Sequence, residues 1–279
     1  FFSSQKEVDM AANTVPVRPA VGLASIALAI LFNVPFSILG ATYDYPDILR
    51  RPAAEALDRF AAGGNGLILT WHAFALVALA LVPMAIFLSL TPERVAVRPA
   101  LAVGAAIAGA LAGLAQAIGL WRWVFVIPGL ARVHADPAAT EEAKLASEQT
   151  FATLNQYGGV AIGEHLGQLL TALFVILLSR LQWLEGNRAT ALTGFVTAAL
   201  IAVGTSEGVA IALGRSGEMF GLITIGGFLG LTLWLILCGT ALLGPCPCST
   251  TCTASRSSGP ISRARGSRRS KSTPKVCCR

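Results

Sequence analysis

The stretch Gly66–Leu90, GLILTWHAFALVALALVPMAIFLSL, decides the fold. His72 is its only ionisable side chain, and apolar residues occupy every helical face instead of alternating or forming one stripe. A helix rises about 1.5 Å per residue, so about 20 such residues cross the hydrocarbon core of a bilayer. The run is far too long for a buried strand. Five further stretches pass the same test: Val21–Gly40, Leu101 to about Val126, Tyr157–Leu181, Thr190 to about Val209, and Phe220–Leu243. The predicted fold class is all-α, an integral membrane bundle of six transmembrane helices over residues 21–243, with both chain ends on one side.

Composition agrees. Of the 279 residues, 54% are apolar and 13% charged, with a mean hydropathy of +0.66. Soluble domains carry about 25% charged residues, so too few polar side chains remain here to cover a water-facing surface. The apolar fraction equally excludes disorder. The net charge of +6 does not point to nucleic acid, because 8 of the 21 basic residues follow Gly244 and the rest of the chain is near neutral. The partner this composition implies is the lipid bilayer.

The basic residues orient the bundle. With the N-terminus inside, the cytoplasmic stretches hold Lys6, Arg18, Arg94, Arg98, Arg180, Arg188 and the tail, while Arg50, Arg51, Arg59, Arg132, Lys144 and Arg215 sit outside among ten acids. The expected arrangement is N-in and C-in within a bacterial inner membrane. Two connections on the outer face are longer, Ala41–Asn65 and Asp136–Gln156. Ala53–Ala62 reads as a short solvated or interfacial helix, and Asp136 with Pro137 as a helix cap and first turn.

Residues 1–20 read as a cytoplasmic segment, of which 1–9 precede Met10 and look extraneous. Residues 244–279, rich in Ser, Arg, Pro and Cys without periodicity, read as a disordered or out-of-frame tail. Cys246, Cys248 and Cys252 lack the paired spacing and the histidines of a zinc site, so no metal is expected.

Charged groups in spans cost about 2.5–3.5 kcal/mol each on insertion scales and therefore need a partner or a wet cavity. His72, Arg122, Glu164, His165 and Glu207 come from four different spans yet fall in the same outer half of the membrane. At helical spacing Tyr157, Ala161, Glu164, Gln168 and Thr171 share one face, beside a ridge of Gly159, Gly163 and Gly167. Ordinary tight packing accounts for that ridge and for Gly109-x-x-x-Gly113 and Gly226-x-x-x-Gly230. Arg122 is expected to pair with Glu164, because a guanidinium matches a carboxylate. That pair serves either as a clasp between spans three and four, as a proton-exchanging group with His165, or as an anchor for an anionic ligand. Trp71, Trp121 and Trp123 read as an aromatic belt. His72 and His165 could ligate haem b axially, although no cofactor is required. Signatures of hydrolases, nucleotide-binding loops and dinucleotide folds are absent from the sequence, and nothing marks it as an enzyme.

The runs Gly119–Pro128 (GLWRWVFVIP), His134–Pro137 (HADP), Asn155–Gly158 (NQYG) and Gly163–Gln168 (GEHLGQ), together with Tyr43–Arg51 and the first two spans, resemble a bacterial family of multi-pass membrane proteins of unknown function, number 4386 among such domains. The resemblance implies a six-helix inner-membrane protein with Arg122, Glu164, His165 and Gln168 as signature positions, and it brings no activity. The sequence thus leads to a non-enzymatic membrane protein with an outward-facing polar pocket for a small ligand or ion, in transport or sensing. Its expected site residues are Arg122, Glu164, His165, Gln168, His72 and Tyr157. A haem-bearing electron carrier and a structural or accessory subunit docking through its glycine ridges are the alternatives, and a homo-oligomer is left open.

Overall fold

A computed structural model describes residues 17–244; the expectations for residues 1–9 and for the cysteine-rich tail fall outside the described residues. The described residues form helices and turns with no strand. The helices are α1 (Pro19–Tyr43), α2 (Ala53–Ser89), α3 (Pro92–Val97), α4 (Pro99–Phe125), α5 (Ile127–Ala135), α6 (Glu141–Leu154), α7 (Gly167–Leu184), α8 (Arg188–Gly204), α9 (Ser206–Ala212) and α10 (Glu218–Leu243), with a π-helix at Asn155–Leu166 leading into α7. They build six spans long and apolar enough to cross a membrane: Pro19–Tyr43, Ala53–Ser89, Pro99–Ala135, Glu141–Leu184, Arg188–Ala212 and Glu218–Leu243. This is a multi-pass membrane protein. Each span packs on the next and the sixth returns to the first, closing a ring in chain order.

Local chemistry sets the breaks. Proline opens α1, α3 and α4, where its missing N–H costs nothing. In α2 the backbone at Gly64 turns to φ 60°, ψ −156°, a region essentially closed to other residues, which splits the helix into an amphipathic start and the span proper. One face of that start is buried, Ala56, Leu57 and Phe60 packing beneath the first connection, while Asp58, Arg59, Ala61 and Ala62 are exposed. Asp136 does not cap a helix. Its carboxylate accepts from the Ala138 amide (2.9 Å), and the next helix begins later, where Thr140 accepts from the Ala143 amide (3.3 Å) and Glu141 and Glu142 complement the helix dipole. His134 lies in the last turn of α5, within 2.8 Å of Asp58 and 3.0 Å of Glu148.

The ring has two cores. At the end carrying the short connections, Leu28, Met84, Leu178 and Trp234 fill the axis with Phe174, which meets Trp234 edge-on at 5.6 Å. Small residues of α4, such as Ala105, Gly109 and Ala112, let neighbouring spans approach. At the end carrying the long connections the core is aromatic: Tyr43, Phe60, Trp71, Phe74, Trp123 and Phe151. Trp71 and Trp123 are fully buried and stacked, 4.8 Å between centroids and 8° between planes. They are not a belt at the membrane surface, because the first connection and the start of α2 cover them.

Candidate functional site

After α1 the chain makes a short 3-10 turn, Asp47–Arg50. Ile48 and Leu49 bury their side chains in the aromatic core, which turns Arg50 toward the ring axis. Arg50 Nη2 donates to Glu164 Oε2 at 2.8 Å and to Glu207 Oε1 at 3.1 Å, and its Nε donates to Glu207 at 3.2 Å. One guanidinium thus ties a connection to the fourth and fifth spans. Burial alone would depress its pKa, but the two carboxylates outweigh that and raise it above the ordinary guanidinium value. Burial, reinforced by Glu164, pushes the neighbouring Tyr45 phenol up, so Tyr45 stays neutral.

Arg122 does not pair with Glu164. It reaches no carboxylate within 4.0 Å among the described residues; instead Nη1 donates to the Gly119 carbonyl, Nη2 donates to Asn155 Oδ1 at 3.0 Å, and the guanidinium lies 5.1 Å from the Trp123 ring centroid. Asn155 passes the connection on, donating to the Leu49 carbonyl at 3.1 Å. The reason is the glycine ridge. A Cβ on Gly159 would overlap the Arg122 guanidinium, and one on Gly163 would lie 3.0 Å from the Gly119 Cα. Arg122 therefore lies flat against the ridge, between spans three and four, while Glu164 turns toward Arg50.

These groups line one cavity of about 870 Å³ on the ring axis at the long-connection end. Its polar wall includes Arg50, Gln116, Arg122, Glu164, Gln168 and Glu207, with Asp47, Arg51 and Glu218 also charged; its apolar wall includes Phe32, Phe36, Phe74 and Phe228. Below it, Gln116 donates to Thr171 Oγ1 (2.8 Å), Thr171 donates to the Gly167 carbonyl (2.7 Å), and the packed Phe174–Trp234 layer follows. The floor is closed.

A family model described as "Domain of unknown function (DUF4386)" matches residues 20–239. The chain belongs to the DUF4386 family. No curated protein and no solved structure is detectably similar to it. Every cavity-lining residue of this DUF4386 member lies inside the matched stretch.

Of the six residues the sequence singled out, the structure brings Arg122, Glu164 and Gln168 to the cavity. Tyr157 is 69% exposed, because the π-helix rephases it away from the face it would share with Glu164 at ordinary helical spacing. His165 sets Nδ1 3.1 Å from the Thr205 carbonyl, bridging spans four and five, and His72 leaves Nδ1 without a partner; neither lines the cavity. Arg50, Asn155 and Tyr45 were missed as site residues. Arg50 and Tyr45 fall within the quoted Tyr43–Arg51 stretch, and Asn155 opens the NQYG run, so the signal was position and not residue type.

Proposed function

We propose that this DUF4386 protein is a binding protein of the bacterial inner membrane, N-in and C-in, whose outward-facing cavity takes a small molecule for sensing or as the binding step of transport. The observation that carries this reading is the cavity itself. Its volume falls within the range of ordinary ligand sites, and its apolar lining surrounds a few converging polar groups. Seven charged side chains line it, Arg50, Arg51 and Arg122 against Asp47, Glu164, Glu207 and Glu218, a formal balance of −1. Intramembrane charges of this kind mark ligand or ion sites. The closed floor favours binding from one side over a continuous pore.

The test compares molecules that co-purify with the wild type and with Ile225→Trp, which places an indole in the cavity from the α10 wall. A species retained by the wild type and lost from the folded variant supports the reading. Identical profiles for the two proteins overturn it.

A further inference from the structure

Among the residues lining the cavity, Arg122 keeps its Nε N–H buried without a hydrogen-bond partner. Buried donors left unsatisfied cost about 1–3 kcal/mol each, so native structures rarely keep them without a partner. Arg122 is also 9% exposed and meets no carboxylate within 4.0 Å among the described residues, whereas the carboxylates of Glu164 and Glu207 are already engaged by Arg50. The Arg122 charge is therefore met by neutral acceptors, the Gly119 carbonyl and Asn155 Oδ1, and not by a carboxylate.

The opposite side of the cavity reaches the lipid-facing surface. Spans one and six are tightly joined from the short-connection end up to mid-membrane. A Cβ on Gly22 would sit 2.6 Å from the Gly239 carbonyl oxygen, Ser25 donates to the Leu235 carbonyl at 2.8 Å, and Asn33 donates to Thr232 at 3.0 Å. Beyond the Phe32–Phe228 stack the cavity takes over between them, and Leu222 and Leu229, which are 71% and 60% exposed, both line it. An apolar chain can leave by that seam into the bilayer.

Building on the binding role above, we propose that the ligand is an anionic amphiphile: a phosphate-bearing head accepts from Arg122, and its acyl chain runs out between spans one and six. Head and chain are separable by probe. Purified, delipidated protein is offered phosphatidic acid, diacylglycerol (same chains, no phosphate) and glycerol 3-phosphate (same head, no chains), with retention read by native mass spectrometry. Phosphatidic acid is expected to bind once per chain, at least about tenfold better than either partial probe, as befits hydrogen bonds to a charged group. Arg122→Gln removes that preference. Arg132→Gln, away from the cavity, leaves it unchanged.

Equal binding of diacylglycerol overturns the anionic head but leaves the cavity's binding role standing. Equal binding of glycerol 3-phosphate overturns the chain and its seam. An undiminished preference in Arg122→Gln overturns the head's location. Failure of the folded wild type to bind any of the three overturns this proposal; the binding role itself then stands or falls on the co-purification comparison.

Discussion

The geometry assigns Glu164 to Arg50 and not to Arg122, and a pair of double-mutant cycles separates the two. Arg50 makes three hydrogen bonds to carboxylates, at 2.8, 3.1 and 3.2 Å, with side-chain exposures of 31% for Arg50, 25% for Glu164 and 20% for Glu207. Fully exposed ion pairs contribute about 0–1 kcal/mol, and breaking a buried one costs about 3–5 kcal/mol. This part-buried cluster lies between, so Arg50→Gln is expected to destabilise the fold by about 2 kcal/mol. Much of that cost comes from leaving Glu164 and Glu207 facing each other without a cation. Adding Glu164→Gln relieves the repulsion, so the Arg50–Glu164 cycle should show a coupling of about 1–2 kcal/mol. The Arg122–Glu164 cycle, without a direct contact, should show less than about 0.5 kcal/mol. Unfolding in mixed detergent micelles, followed by tryptophan fluorescence, gives both numbers. A larger coupling for Arg122–Glu164 than for Arg50–Glu164 would refute the assignment.

Other perturbations probe the supports of the site. Gly163→Val places a branched side chain against the Gly119 backbone and should cost about 1–3 kcal/mol or more, read as a lowered unfolding midpoint; a neutral result would show that spans three and four are not in close contact. Asn155→Ala removes the acceptor for Arg122 and the donor to Leu49, and is expected to cost about 1–3 kcal/mol in the same assay, more than Asn155→Asp, which keeps the acceptor. Gly64→Ala meets no atom within 4 Å, so any loss, expected at about 1–3 kcal/mol, measures backbone strain alone; no loss would mean that the break in α2 does not need glycine.

What was legible in the sequence was what depends on hydropathy. Each of the six spans announces itself by length and by the scarcity of charge, and their alternation places His72, Arg122, Glu164 and Glu207 at one level of the bundle. Level is not azimuth. Arg122 and Glu164 share a depth, but the glycine ridge and the π-helix at Asn155–Leu166 decide which way each side chain turns. A reading at 3.6 residues per turn cannot see the π-helix, and so it grouped Tyr157 with Glu164. Arg50 was hidden differently. By composition it is one of several charges in a polar connection, and only the burial of Ile48 and Leu49 beside it turns the guanidinium inward. The tryptophans misled for a related reason: Trp71 and Trp123 lie near span ends, as belt residues do, and only the fold of the first connection over them makes them core.

The central claim, a cavity at the long-connection end that holds a ligand, is tested most directly by an electron cryo-microscopy map of the purified protein in lipid nanodiscs. The account predicts non-protein density that begins against Arg122 and extends between Phe36 and Ile225 toward the bilayer. A cavity closed by side chains, or one containing only isolated water-sized peaks, would contradict it.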